Sequence, residues 1–352
     1  MINKAGNNKG LNLAVDVMGG DNAPTAIVEG CALALKRKPN IKFLLFGDQV
    51  KINQLLTKFD KLKQNAEIIH TDEKISAHEK PAIALRKGRK SSMQLAITAV
   101  KEGKADAIIS AGNTGALMAM SKLSLRTLDG IDRPAIATIL PTMKKPCVFL
   151  DMGANASCDA NNLLQFAIMG DAFAKVTLGL ESPSIGLLNI GSEDLKGNEV
   201  IKVTQQILQE EASHLNYYGY VEGDDIAAGT TDIIVTDGFT GNIALKAIEG
   251  TAKMCKLLLK KSYQRSIIAF LGYLLSRYSL RHSFKQMDPK NYNGAMFLGL
   301  NGIAIKSHGN ADKKSFANAI KVAVELCENN INEKIIEELK LATPMQNDNI
   351  EK

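Results

Sequence analysis

The chain of 352 residues is 45% hydrophobic and 23% charged, a composition typical of a globular protein with one large α/β domain or two smaller domains. Its opening, MINKAGNNKG, lacks an apolar core, and no run of about 18 apolar residues occurs, so we expect neither a signal peptide nor a membrane-spanning helix. Five scattered cysteines without a CxxC pair indicate reduced thiols in a cytoplasmic protein and no zinc ribbon.

The net charge of +6 is concentrated in one segment. Residues 251–287 contain eight lysines and arginines and no acidic residue, which leaves the rest of the chain slightly acidic. A local basic patch favours an acidic protein partner or an anionic membrane surface. We expect no nucleic-acid partner, because the chain has no tryptophan, few aromatic residues and no signature of a nucleic-acid-binding fold.

The first predicted element, LNLAVDV, is a buried strand that ends in the turn Met18-Gly19-Gly20. Two adjacent glycines allow a positive φ or a close approach of another group to the backbone. Asp21 or Asn22 then caps a helix with a proline in its first turn. This unit commonly binds an anion at the helix N-terminus, although a single copy also fits a plain turn.

Similar buried strands follow along the chain: KFLLFGD, ADAIIS, CVFLD, SIGLLNI, DIIVTD and GIAIKS. Helix-period stretches such as SSMQLAITAVKEG and DKKSFANAIKVAVELC separate them. This alternation predicts right-handed βαβ units and a mostly parallel sheet, whose ligands bind beyond the carboxyl ends of the strands. Those ends carry Asp16, Asn113, Asp151, Asn155, Lys196, Asp237 and Asn242. We therefore expect one shared cleft, although each turn alone also fits an ordinary helix cap.

Nine ordered segments resemble the bacterial phosphate acyltransferase family PlsX. They are DVMGGDNAP, RKGRKSSMQLAI, SAGNTGALM, RPAIATILPT, LDMGAN, QFAIMG, LLNIGSEDLKG, VTDGFTGNIALKAIEG and LGLNGIAIKSHG. Three positions depart from the family pattern. Val17 replaces a usual alanine, Ser192 removes one carboxylate of a GEE-type turn while Glu193 stays, and Asn293 interrupts a usual YGGA.

The resemblance covers residues 11–330 and implies a fold. That fold is a three-layer α/β/α, Rossmann-like, mostly parallel sheet, similar to phosphate acetyltransferases and isocitrate-type dehydrogenases, with a protruding helical arm. We expect a single domain over residues 11–335, which includes a basic amphipathic arm over residues 245–288. Residues 1–10 and 336–352 are expected to be flexible tails.

The resemblance also implies a reaction, in which a long-chain acyl-[acyl carrier protein] and inorganic phosphate give acyl phosphate for phospholipid synthesis. Phosphate is already an anion and needs positioning and charge compensation rather than a strong base. We expect catalysis by Lys196, Asp237 and Asn242. Lys196, the only lysine directly within the turns we identified at strand ends, neutralises phosphate or the developing oxyanion, unless it is merely solvated. Asn242 hydrogen-bonds phosphate or the carbonyl oxygen, and Asp237 orients one of the other two.

Further residues are expected to bind substrate. They are Asp16, Gly19, Gly20, Asp21, Asn113, Thr114, Gly115, Asn155, Glu193, Gly241 and His308. The two glycines of the first turn would line the cleft, and its two aspartates would organise the loop. His308 either donates to substrate or caps its own turn.

A covalent route, a metal and a nucleotide cofactor are all disfavoured. Cys158 has no histidine near it in sequence, so we expect direct attack of phosphate without an acyl-enzyme. Asp16 and Asp21 are possible Mg²⁺ ligands, but a phosphate site served by lysine and backbone N–H groups does not require the ion. Neither GxGxxG after the first strand nor GxxxxGK[ST] occurs, which argues against a dehydrogenase, and we expect no cofactor.

The basic arm combines an apolar stripe with positive charges at helical spacing. Its expected membrane or carrier-protein surface consists of Lys260, Lys261, Arg265, Arg277, Arg281 and Lys285. A basic amphipathic helix is suited to reversible docking on an anionic membrane, and the acidic acyl carrier protein is an alternative ligand. The arm also fits a helix pair that packs on the core or on a second subunit.

The leading hypothesis is a cytoplasmic, peripherally membrane-associated enzyme, dimeric by resemblance. The second hypothesis is a phosphotransacetylase that uses a short acyl-CoA, which would share the phosphate cleft but need no membrane-facing arm. A non-catalytic scaffold for lipid synthesis would keep the arm but not the polar strand ends.

Overall fold

The computed structural model describes residues 10–286 and 293–342, with the side chains of residues 281–286 outside the description. The strands are β1 Leu11–Asp16, β2 Ile41–Gly47, β3 Ala66–His70, β4 Ala107–Ser110, β5 Ala135–Leu140, β6 Cys147–Leu150, β7 Ile185–Leu188, β8 Tyr217–Val221, β9 Ile233–Val235, β10 Ala295–Leu298 and β11 Ile303–Lys306. The helices are α1 Thr25–Arg37, α2 Gln49–Leu56, α3 Asp60–Gln64, α4 Pro81–Lys87, α5 Ser92–Lys101, α6 Thr114–Leu125, α7 Ala160–Leu178, α8 Glu199–Glu210, α9 Gly223–Ala228, α10 Gly238–Tyr263, α11 Ile267–Gln286, α12 Lys313–Glu328 and α13 Ile331–Ala342.

The strands form one sheet in the order β3-β2-β1-β4-β11-β10-β5-β6-β9-β7-β8. The five strands from β3 to β11 are mutually parallel, and so are the four from β6 to β8. β10 is antiparallel to β11 and β5, and β5 is antiparallel to β6. The predicted parallel sheet is thus confirmed within each half, but the two halves run in opposite directions.

Both faces of the sheet are buried under helices. Consecutive strand residues point to opposite faces, so Leu13 and Val15 join one apolar core while Ala14 joins the other. The first core is filled by α1, α7, α12 and α13 and contains Phe316. The second core is filled by α5 and α6 and contains Phe297. The three-layer α/β/α fold expected from the sequence is therefore present.

The helices α10 and α11 form the expected arm. α10 has 26 residues, of which only Gly238 and Gly241 are buried. α11 packs mainly against α10, and the rings of Tyr263 and Tyr273 lie 5.3 Å apart where the two helices meet. The predicted surface residues Arg281 and Lys285 have side chains outside the described part of the chain.

The helix α13 continues to Ala342, past the expected domain end at residue 335. Ile331, Ile335 and Ala342 are buried along one side of this helix. Glu338 of α13 also forms an ion pair with Lys175 of α7 at 2.6 Å. Apolar residues at helical spacing thus hold the helix against the core beyond the expected boundary.

Gly30 allows α1 and α12 to approach closely, and its replacement should be destabilising. A Cβ on Gly30 would lie 2.9 Å from both Cβ and Cδ1 of Phe316. We predict that Gly30→Ala lowers the free energy of unfolding by about 1–3 kcal/mol through overpacking, measured by urea denaturation.

Gly250 on α10 is the matched control, because a Cβ there would meet nothing within 4 Å. Gly250→Ala should leave stability unchanged or raise it by about 1 kcal/mol through better helix propensity. Equal effects of the two substitutions would contradict this account of the α1–α12 contact.

Candidate active site

The carboxyl ends of β1, β4 and β11 meet at one margin of the sheet, here named the first edge. Asp16 ends β1 there and is only 1% exposed. Its two carboxylate oxygens accept hydrogen bonds from Oγ of Ser92 and Oγ of Ser110, each at 2.6 Å. Burial raises the pKa of Asp16, and the serine bonds and the positive charge of Lys306 oppose that rise. Asp16 therefore ties β1 to α5 and β4.

Gly19 and Gly20 let the loop after β1 pack against two other loops. A Cβ on Gly19 would lie 2.4 Å from Oδ2 of Asp16 and 2.8 Å from the backbone nitrogen of Gly112. Gly20 has φ of +98°, and a Cβ there would lie 2.9 Å from the carbonyl oxygen of Gly309. The N–H of Asp21 donates to that same oxygen at 2.8 Å. The glycine pair is thus required by close packing at the first edge.

Asn113 caps α6 and is fully engaged by the protein itself. Its Oδ1 accepts from the N–H of Ala116 at 3.0 Å. Its Nδ2 donates to the carbonyl oxygens of Ala77 at 3.0 Å and Glu79 at 2.9 Å. These bonds tie the Asn113 side chain to the loop of residues 77–79, and its contact with substrate stays a prediction. Thr114 and Gly115 follow in the first turn of α6, and Thr114 is exposed.

Lys306, which the sequence analysis missed, ends β11, the strand of the first edge that adjoins the antiparallel strand β10. Its Nζ donates to the carbonyl oxygen of Ser307 and lies 3.5 Å from that of Ala111. Burial lowers the pKa of Lys306 to about 8, although the charges of Asp16 and Asp21 oppose the shift. Lys196 is therefore not the only strand-end lysine. The signal was a lysine that closes the apolar strand GIAIKS.

His308 lies two residues beyond Lys306 and is exposed. Burial of part of the ring lowers the pKa of His308, and the nearby positive charges of Lys306, Lys246 and Lys253 lower it further. The negative charge of Glu249 opposes this shift. Asn293, the departure from the family pattern, holds this loop. Its Oδ1 accepts from the N–H of His308 at 2.8 Å, and its Nδ2 donates to Oγ of Ser307 at 2.8 Å.

The carboxyl ends of β6, β9 and β7 meet at the opposite margin, here named the second edge. Asp151 follows β6, is fully buried, and accepts hydrogen bonds from the N–H groups of Ile136, Gly153, Ala154 and Asn155. Burial raises the pKa of Asp151, and these bonds oppose the rise. The Nδ2 of Asn155 donates to Asp151 and to the carbonyl oxygen of Pro134, both at 2.9 Å, so this side chain supports the loop.

The N-terminus of α10 rests on this loop. Asp237 caps the helix, because its carboxylate accepts hydrogen bonds from the N–H of Thr240 at 2.9 Å and from Oγ1 of Thr240 at 2.8 Å. These two bonds hold the Asp237 carboxylate to Thr240 rather than to Lys196 or Asn242. A Cβ on Gly241 would lie 1.9 Å from the carbonyl oxygen of Asp151. Asn242 is exposed beside Gly153, one residue beyond this contact.

Lys196 and Glu193 lie in the exposed turn after β7, where the N–H of Lys196 donates to the carbonyl oxygen of Glu193 at 2.9 Å. Since β7 pairs with β9, this turn shares the second edge with Asp237 and Asn242. The remaining predicted residues, Asp16, Gly19, Gly20, Asp21, Asn113, Thr114, Gly115 and His308, lie at the first edge.

The expectation that all these strand ends meet at one edge is wrong, because the two halves of the sheet run in opposite directions. The helix α10 connects the two edges. It begins at the second edge, and Ala244 and Leu245 then pack on the second core face. At the next residue and about one turn later, the charges of Lys246 and Glu249 act on His308 of the first edge.

Cys158 lies beside the second edge, where the charges of Asp151 and Asp237 act on its thiol. Burial and these two carboxylates raise the pKa of Cys158 to about 11. At neutral pH the thiolate, which is the nucleophilic form, is therefore scarce.

Over residues 10–286 and 293–342, no three side chains of His, Cys, Asp or Glu are grouped as a metal site. Over the same residues, no helix is both long and apolar enough to cross a bilayer.

Solved structures with a similar fold include two phosphotransacetylases. The enzyme from Streptococcus pyogenes aligns with a TM-score of 0.61 and 16% identity, over 91% of this chain and 94% of its own. The EutD phosphotransacetylase from Staphylococcus aureus aligns with a TM-score of 0.55 and 16% identity, over 91% and 95%. These matches define the class of fold.

The sequence defines the family. The family model described as fatty acid synthesis protein matches residues 11–334. The phosphate acyltransferase of Paramagnetospirillum magneticum is 51% identical over 96% of both chains, and that of Rhodospirillum rubrum is 51% identical over 94% of both. The chain belongs to the phosphate acyltransferase family, PlsX. The predicted family and the predicted enzyme class, an acyltransferase, are confirmed.

The raised pKa of Cys158 gives a test of the covalent route. We predict that iodoacetamide at pH 7 alkylates Cys158 much more slowly than the exposed Cys255, as peptide mass spectrometry of a time course would measure. Rates converge as the pH approaches about 11, where the Cys158 thiolate forms. Rapid alkylation of Cys158 at neutral pH, or an acyl group trapped on it without phosphate, would contradict this account.

Proposed function

We propose that this enzyme transfers the acyl group of a long-chain acyl-[acyl carrier protein] to inorganic phosphate, and that the acyl phosphate enters phospholipid synthesis. The observation that carries the proposal is the 51% identity to a phosphate acyltransferase over 96% of both chains. At the second edge, the exposed Lys196 ammonium offers charge compensation and the exposed Asn242 amide offers a hydrogen bond, which are the contributions that this reaction needs.

In the proposed reaction, a phosphate oxygen attacks the thioester carbonyl carbon at the second edge. The new C–O bond forms as the C–S bond breaks, and the thiolate leaves and takes up a proton. Lys196 offsets the charge of phosphate or of the developing oxyanion, and Asn242 donates a hydrogen bond to it. The N-terminal end of α10, whose dipole favours anions, carries Asn242 and shares the second edge with the turn of Lys196. Asp237 fixes that helix end through Thr240.

The arm is proposed to dock on an anionic membrane surface. Its apolar side chains are strongly exposed, with Ile267 at 81%, Leu275 at 89% and Tyr278 at 83%. Lys260 and Lys261 lie in the last turn of α10, close to these side chains along the chain. Apolar residues flanked by cations suit the interface of an anionic bilayer. We propose that the enzyme is cytoplasmic and associates peripherally with the membrane. We also propose a homodimer, which exposed apolar residues of α10 such as Leu257 support.

Transfer from a short acyl-CoA is the second candidate, and the likeness to phosphotransacetylases supports it at the level of the fold. The exposed basic arm favours the long-chain carrier-protein donor.

The role of Lys196 predicts a large loss of rate on its removal. Lys196→Ala should lower kcat for acyl phosphate formation by about 100- to 1,000-fold, the usual cost of losing one group that stabilises an oxyanion. The assay uses long-chain acyl-[acyl carrier protein] and acyl-CoA in parallel, with phosphate varied.

The control is Lys144→Ala, an exposed lysine at the amino end of β6, which should keep wild-type activity. Full activity of Lys196→Ala would remove this residue from the mechanism. Exclusive use of acyl-CoA by the wild type would favour the second candidate, and acyl phosphate from neither donor would overturn both.

Charge reversal on the arm should weaken membrane binding. The triple variant Lys260→Glu, Lys261→Glu, Arg277→Glu should lose at least 10-fold in flotation with vesicles rich in anionic lipid, since each cation near such a surface contributes about 1 kcal/mol. Neutral vesicles should show little difference between this variant and wild type.

A triple variant of equal charge, Lys58→Glu, Lys61→Glu, Lys63→Glu on the exposed surface of α3 and of the turn before it, is the control and should float like wild type. Unchanged binding by the arm variant would assign the arm a purely structural role. A change in the KM for the carrier-protein donor without any change in flotation would instead place the carrier protein on the arm.

A further inference from the structure

Among the residues that the structure describes, the hydrogen-bond partners of the Lys306 ammonium group at the first edge are backbone carbonyls. Its Nζ donates to the carbonyl of Ser307 and lies 3.5 Å from that of Ala111, and the carboxylates of Asp16 and Asp21 act on it through space. A lysine ammonium has three N–H donors, so a further donor is available to a ligand. Because a partly buried cation without a contacting anion is costly, an anionic ligand would stabilise it.

The surroundings of Lys306 add further positive charge. His308 is exposed beside it, and the charges of Lys246 and Lys253 act on His308 from α10. Acidic groups oppose this charge. Asp21 acts on Lys306 through space, and two others are held by neighbouring side chains. Glu249 pairs with Lys246 at 2.9 Å, and Asp16 is bound by Oγ of both Ser92 and Ser110.

We propose that Lys306 and His308, together with Lys253 of α10, bind a phosphoryl oxyanion of the acyl donor, namely the phosphodiester that joins the pantetheine arm to the carrier protein. The donor would then lie along α10 from the first edge to the second. This inference rests on the proposed function, since it assigns a binding site to that reaction's donor.

The spacing along α10 matches the length of the donor's arm. Asn242 at the second edge and Lys253 are eleven residues apart, which corresponds to about 16 Å of helix. An extended pantetheine arm has about thirteen bonds from phosphorus to sulfur, and at the advance per bond of an extended chain it spans about 15 Å. A phosphodiester held beside Lys253 therefore lets the thioester reach Asn242 near the start of α10.

The test compares two thioester donors that differ only in the phosphoryl group, acyl-4′-phosphopantetheine and acyl-pantetheine. We expect wild type to prefer the phosphorylated donor by at least 10-fold in kcat/KM. Lys306→Met should abolish that preference and leave kcat/KM for acyl-pantetheine and the KM for inorganic phosphate unchanged, while Lys306→Arg retains the preference. Lys104→Met, an exposed lysine paired with Glu102 at the amino end of β4, is the control and should behave as wild type.

The pH profile separates a ligand contact from a structural role. The pKa of Lys306 is lowered to about 8, so its charge is present below that pH and lost above it. The preference for the phosphorylated donor should therefore fall as the pH rises through about 8 in wild type and persist in Lys306→Arg, whose guanidinium stays charged.

Three results would overturn the inference. They are an unchanged donor preference in folded Lys306→Met, an equal loss with both donors, and a raised KM for phosphate alone, which would make this a free-phosphate site. Failure of wild type to form acyl phosphate from any donor would instead refute the proposed function. In that case, calorimetric titration with phosphopantetheine and pantetheine still tests the site, and equal affinities would overturn it.

Discussion

The reversal of strand direction between the two halves of the sheet determines how the rest of the molecule is arranged. The antiparallel strands β10 and β5 separate two parallel halves, so the carboxyl ends of β1, β4 and β11 lie opposite those of β6, β9 and β7. Each half therefore presents its own set of loops at its own edge. A reaction that uses both sets needs either two ligands or one elongated ligand, and α10 is the helix that extends between them.

Each edge is organised by a buried aspartate that gathers neighbouring loops. Asp16 accepts two serine hydroxyls, and Asp151 accepts four backbone N–H groups and one amide. These bonds offset the cost of burying a carboxylate, and they use its oxygens for structure rather than for catalysis. Glycines 19 and 241 let adjacent chain segments contact the same aspartates. The cations Lys306 and Lys196 then remain as the charged groups available to anionic ligands at the two edges.

The sequence predicted what is local and missed what depends on pairing between distant strands. The buried strands, the capped helix after Gly20, the arm and the family were all readable, because apolar runs and motifs are properties of short segments. The single cleft was wrong since no local pattern reveals that β10 and β5 reverse the sheet. Lys306 was overlooked because its importance arises from β11 pairing with β4, almost two hundred residues earlier in the chain. Asn113 has the residue type of a ligand contact, but a distant loop occupies its amide.

The helix α10 is unusual for its exposure, and that exposure fits its place in the proposed mechanism. A helix of 26 residues with only two buried glycines gains little from core packing, so folding alone does not explain its length. Its first turn shares the second edge with the turn of Lys196, the charges of its middle turns act on His308, and its last turn carries Lys260 and Lys261 next to the apolar arm. In the proposed mechanism the thioester, the phosphodiester and the membrane surface are therefore met in sequence along one helix axis. Such an order brings a water-soluble carrier and a product with a long acyl chain to the same face of the protein, at the point where that product must leave for the bilayer.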